Sequence, residues 1–156
     1  MSHVASIDIE IKDLDALAAA CEPLGLELVR GQKTYNWWGR SVGDTKLPDG
    51  FQVHELGTCE HAIRIKGTNM NGRVNKYEPY EIGIATRRDG KAGYTMLWDT
   101  YNGGGGLVEK VGGTGCDKLR QGYAVEVAMR IAKRQGFRVV KKEIRSDGSV
   151  AIVTQR

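Results

Sequence analysis

The chain has 156 residues, 23 basic and 19 acidic, for a net charge of +4. With 40% hydrophobic and 27% charged residues, its composition excludes a disordered polyelectrolyte and suits one domain-sized core. Its cysteines, Cys21, Cys59 and Cys116, are odd in number and far apart, which argues against a disulfide scaffold and for a reducing, cytoplasm-like compartment.

In chain order, Ile7, Ile9 and Ile11 alternate with polar residues, the period of a half-buried strand. Asp13 is a good N-cap for a helix whose Leu14, Leu17, Ala18 and Cys21 share a face. Pro23 disrupts its last turn and Gly25 suits a left-handed stop, with a short strand following from Leu26 to Arg30. Residues 31–76 form a loop-rich, insertion-like region holding Tyr35-Asn36-Trp37-Trp38, with Phe51–Glu55 and His61–Lys66 as strands inside it. Tyr80, Ile82 and Ile84 alternate, and Arg87-Arg88-Asp89-Gly90 turns the chain back into Tyr94, Met96 and Trp98. If Asp89-Gly90 is a two-residue turn, Met96 faces Gly83, flanked by Tyr94 and Trp98. Glycines make residues 102–116 a flexible connection. Asp117 is positioned to cap a second helix that runs to about Gln135 and stops at Gly136. Phe137–Arg145 and Ser149–Thr154 then form a hairpin around Asp147-Gly148, a type I′ signal. The fold class is α+β in a single domain, 1–156. It has a mainly antiparallel sheet with two helices on one face, in the order β-α-β-(several β)-α-β-β. The helix–glycine–strand order at Asp13–Val29 recurs at Asp117–Val140, an architectural echo.

Three stretches carry a family resemblance. They are Met1-Ser2-His3 through Lys12-Asp13-Leu14-Asp15-Ala16-Leu17, the segment Trp98-Asp99-Thr100-Tyr101-Asn102-Gly103, and the end from Leu119 and Tyr123-Ala124-Val125-Glu126 to Asp147-Gly148-Ser149. In these the chain resembles the hypothetical chloroplast reading frame 35 family (domain of unknown function 1257), in its phage and bacterial form. Residues 31–76 look longer than in the compact plastid members. The resemblance implies an α+β fold and brings no established activity, cofactor or catalytic residue.

Charge is placed unevenly. Residues 1–30 carry two basic and six acidic side chains, whereas residues 118–156 carry ten basic and three acidic ones. Such a basic end points to an anionic partner. At 100° per residue, Ala124, Val125, Ala128, Ile131 and Ala132 share one side of the second helix. Arg120, Tyr123, Arg130 and Arg134 lie on the other. If the alanine side is pressed on the sheet, those arginines, with Lys141 and Lys142 beyond, are free to contact RNA or DNA phosphates while Tyr123 stacks a base.

Two further readings use other residues. Trp37 and Trp38 suit an interface, with a protein partner or self-association in a phage- or organelle-encoded assembly factor. Trp98, Asp99, Tyr101, Asn102 and His3 suit a small-ligand or enzyme pocket. No nucleophile-elbow or zinc-protease motif occurs, and Gly112-Gly113-Thr114-Gly115 continues into Cys116-Asp117 rather than the Gly-Lys-Ser/Thr of a phosphate loop. His54, Cys59 and His61 fit no standard zinc spacing. Neither a catalytic set, a metal nor a cofactor is nominated, and no membrane contact is expected. The opening residues carry no basic-then-apolar leader, and no apolar run nears the roughly 18 residues of a membrane span.

Overall fold

The computed structural model of the chain describes residues 4–39, 47, 50–68, 79–147 and 149–156, the side chains of 4–9 and 144 excepted. Strand β1 (Val4–Ile11) leads into helix α1 (Leu14–Cys21) and strand β2 (Leu26–Arg30). The Asp13 carboxylate accepts the Ala16 N–H at 3.0 Å and so caps α1 as expected, and Gly25, left-handed at φ +70°, ends the 3-10 turn Glu22–Leu24 into which α1 runs. Strands β3 (His61–Ile65), β4 (Ile82–Thr86) and β5 (Tyr94–Asp99) complete a five-stranded sheet of order β1-β5-β4-β3-β2, every neighbour antiparallel. The first two strands therefore occupy opposite edges, and α1 carries the chain across one face.

Alternation assigns the two faces. Leu26, Ile63, Ile82, Ile84, Met96 and Trp98 point to the helices, where they pack with Leu17, Cys21, Leu119 and Tyr123. Ala62, Ala85 and Leu97 point the other way, under Tyr35, Trp37, Phe51 and Leu56 of the long loop. Small sheet residues leave room there for the loop's large rings. Buried carboxylates pin that loop: Glu81 accepts the Asn36 N–H at 2.7 Å, and Asp99 accepts the Trp38 N–H at 3.2 Å.

Several sequence expectations need correction. Phe51–Glu55 is not a strand; Val53–Glu55 forms a 3-10 turn closed by a reciprocal Gln52–Glu55 capping box. The β4–β5 loop spans residues 87–93 and is closed by Arg87 N–H to Gly93 C=O at 3.1 Å. That shifts the register, so Gly83 faces Leu97 and Ile84 faces Met96. The ring over Gly83 is Tyr35 from the loop, since Tyr94 and Trp98 sit on the helix side.

The glycine-rich connection is also folded rather than a linker. Asn102 and Gly103–Gly105 take left-handed dihedrals in succession, with φ of 50°, 71°, 59° and 68°. A side-chain-bearing residue pays roughly 1–2 kcal/mol in that conformation. The glycines thus encode a left-handed turn, which delivers helix α2 (Leu107–Val111) with Leu107 and Val111 fully buried.

Helix α3 (Asp117–Arg134) follows, packed along α1 so closely that a methyl group on Gly122 would sit 3.4 Å from the Ala20 Cβ. Asp117 is its first helical residue; the cap position is Cys116, at φ +54°, with no side-chain cap. Among the described residues strands β6 (Arg138–Ile144) and β7 (Val150–Gln155) pair only with each other, as a separate two-stranded sheet against α3. Their loop closes through Arg145 N–H to Ser149 C=O at 2.8 Å, one residue longer than a two-residue turn. Gly148 lies outside the described residues.

Candidate anion-binding site

The face that α3 presents to the core is not the alanine face. Leu119 and Tyr123 are buried, whereas Ala124, Ala128 and Ile131 are exposed, so the buried stripe lies nearly opposite the expected one, of which Val125 alone is buried. Burial scales with apolar area, and one leucine plus one tyrosine outweigh several alanines. Tyr123, 7% exposed, also finds polar partners inside: its hydroxyl accepts the N–H groups of Lys12 at 3.0 Å and Asp13 at 3.2 Å. It is a strut between α3 and the start of α1, which corrects its assignment as a stacking residue.

The displaced alanine face lines an open groove of about 990 Å³ between α3, the β1–α1 junction and the ends of β2 and β5. Tyr94, Leu14, Val127, Ala128 and Ile131 form its apolar bed. Arg130 and Arg134 stand on its α3 wall, Lys12 and Arg30 opposite, among Glu10, Asp13 and Asp15. Those acids are engaged: Glu10 with Lys12 at 3.2 Å, Asp15 with Arg30, Asp13 with the helix end. Tyr94, Lys12 and Arg30 were not legible as groove residues, because their convergence depends on strand order.

The remaining cations lie elsewhere. Lys142 shares with Lys118 a smaller depression between the hairpin, α1 and α3. Lys141 is on the opposite face of β6, and Arg120 is exposed on α3. The expected six-residue patch is thus divided: Tyr123, Arg130 and Arg134 meet at the groove, Lys141 and Lys142 belong to the hairpin, and Arg120 joins neither. Among the described residues Arg120, Arg130, Lys133, Arg134, Lys142 and Arg145 make no ion pair. Lys141 meets only Glu143, at 3.9 Å.

The aromatic candidates separate too. Trp98 is fully buried in the helix-side core and offers no surface for a ligand. Asp99 is buried as well, accepting the Tyr101 N–H at 2.9 Å besides that of Trp38. Trp37 is inside the loop-side core, whereas Trp38 is 45% exposed and meets Tyr101 edge-on at 6.0 Å. Asn102 is exposed in the left-handed turn, and His3 lies outside the described residues.

His54, Cys59 and His61 do not converge as ligands: His61 Nδ1 accepts the Gly31 N–H at 3.0 Å and Cys59 donates to the Gln32 carbonyl at 3.3 Å. Among the described residues there is no metal-binding cluster, and no helix is long and apolar enough to cross a membrane. Burial pushes the Cys21, Cys59 and Cys116 thiols from 9.0 up to about 12. At pH 8 the native thiolate population is on the order of a thousandfold below that of the unfolded chain, so a thiol-specific colorimetric reagent reacts with it only after denaturant is added. Folding raises these pKa values, so the linked stability is intact below pH 9 and falls as pH rises towards 12, which alkaline unfolding at constant ionic strength measures.

No curated protein and no solved structure matches this chain. Residues 49–153 match the family described as protein of unknown function (DUF1257), a span running from the loop-side core through α3 and almost to the end of β7, and the chain belongs to that family.

Proposed function

We propose that this is a small, non-catalytic binding protein that contacts nucleic acid or another polyanion through the end of α3 and the β6–β7 hairpin. The observation that carries the reading is the state of the cations there. Lys133, Arg134, Lys142 and Arg145 have no acidic partner among the described residues, and Lys141 has a distant one. Lys133 and Arg134 end α3, and Lys141, Lys142 and Arg145 follow on a hairpin that is no part of the main sheet. With Tyr123 committed inside, the contact is to phosphates rather than stacked bases, and it is independent of base sequence.

The test is fluorescence anisotropy with mixed-sequence single-stranded RNA and DNA across a salt series. Four phosphate contacts give a slope of log K against log salt of about −3. Substituting Lys141, Lys142 and Arg145 together by alanine flattens it to about −1. No binding of either polymer at low salt contradicts the proposal.

A second reading, a protein-interaction or assembly factor of phage or organelle origin, is favoured by the half-exposed Trp38. Sedimentation velocity over a wide concentration range tests it for self-association; concentration-independent monomers argue against that form.

A further inference from the structure

We infer that the α3 groove is a binding site for a small amphiphile bearing one carboxylate and an unbranched apolar body, a medium-chain fatty acid. The bed accounts for the body. Ile131 is 47% exposed on its wall, beside Ala128 and Tyr94, and water covers apolar surface that a hydrocarbon chain would cover better. The volume is at the upper end of the range for small-ligand sites, roughly 300–1,000 Å³.

The arginines account for the head group. Arg130 and Arg134 are four residues apart on one helix flank, within reach of a common ligand. Among the described residues neither has an acidic partner, and the Arg130 Nε is buried without a hydrogen-bond acceptor. Both guanidinium groups line the groove, where a planar fork can hold a carboxylate. The three acids of the rim select the charge. Glu10, Asp13 and Asp15 are matched within the fold and tolerate a single negative charge beside the arginines. They oppose a dianionic phosphate or a polyanion strand. The site is thus separate from the hairpin, and its occupancy does not depend on the reading of that surface.

Titration calorimetry with dodecanoate on the full chain, below its micelle concentration, tests the proposal. One saturable site of micromolar affinity is expected. Arg130→Gln weakens it at least tenfold, and dodecanol, without the charge, binds the parent at least tenfold more weakly. Ala128→Trp fills the groove and abolishes binding; because Ala128 is exposed, circular dichroism of this variant matches the parent. Absence of saturable binding, an unaltered affinity in Ala128→Trp, or equal affinity for dodecanol and dodecanoate overturns the assignment.

Discussion

Tyr123→Ala is expected to lower stability by about 3–5 kcal/mol, since the ring is buried and its removal opens a cavity between α3 and the sheet. For a chain of this length that is a fall in Tm of about 10 °C. Tyr123→Phe isolates the hydroxyl. It keeps the ring but leaves the Lys12 and Asp13 N–H groups without their acceptor where α1 begins, at a cost of about 1–3 kcal/mol. Urea unfolding reads both differences. The pair separates strut from stacking residue: as a strut, Tyr123→Phe destabilises and leaves nucleic-acid affinity unchanged once the protein is folded. A phenylalanine variant as stable as the parent contradicts the hydrogen-bonded role.

Gly83→Ala is the second large effect. A Cβ at Gly83 would lie 2.3 Å from Cδ1 and 2.6 Å from Cε1 of Tyr35, well inside van der Waals contact. The Tyr35 ring is itself enclosed, 1% exposed. A ring so enclosed cannot swing out to solvent without the backbone that carries it, so the added methyl is expected to force the loop off the sheet. Overpacking of this kind costs about 1–3 kcal/mol and often more where backbone must shift. The double variant Gly83→Ala/Tyr35→Leu is expected to recover part of the loss, because the smaller side chain vacates the contested space. A Gly83→Ala protein with the parent's urea midpoint contradicts the packing of Tyr35 on this strand.

The fold was legible wherever local chemistry decides. The Asp13 cap, the left-handed Gly25, the β4–β5 pair and the C-terminal hairpin follow from residues close together in sequence. Decisions taken at long range were not. The face of α3 depends on which side chains α1 and the sheet offer, and five apolar positions mostly filled by alanine gave a periodic pattern with little area behind it. The run Asn102–Gly105 reads as flexible by composition because glycine supplies both flexibility and left-handed turns, and only the packed Leu107 beyond it tells them apart. The basic character of the chain's end was evident from composition. Its division into a groove wall and a hairpin was not, since the groove is assembled from β1, β2, β5 and α3, which are remote in sequence.

A polyanion is expected to touch the molecule at the end of α3 and the hairpin, away from the groove. Titrating the isotope-labelled chain with a short oligothymidylate and following backbone amide shifts tests this directly. The predicted result is perturbation concentrated at Lys133–Arg134 and along residues 138–145, disappearing at high salt, with the amides of Leu14, Tyr94 and Ala128 unmoved. Shifts centred on the groove instead, or none at low salt, would contradict it.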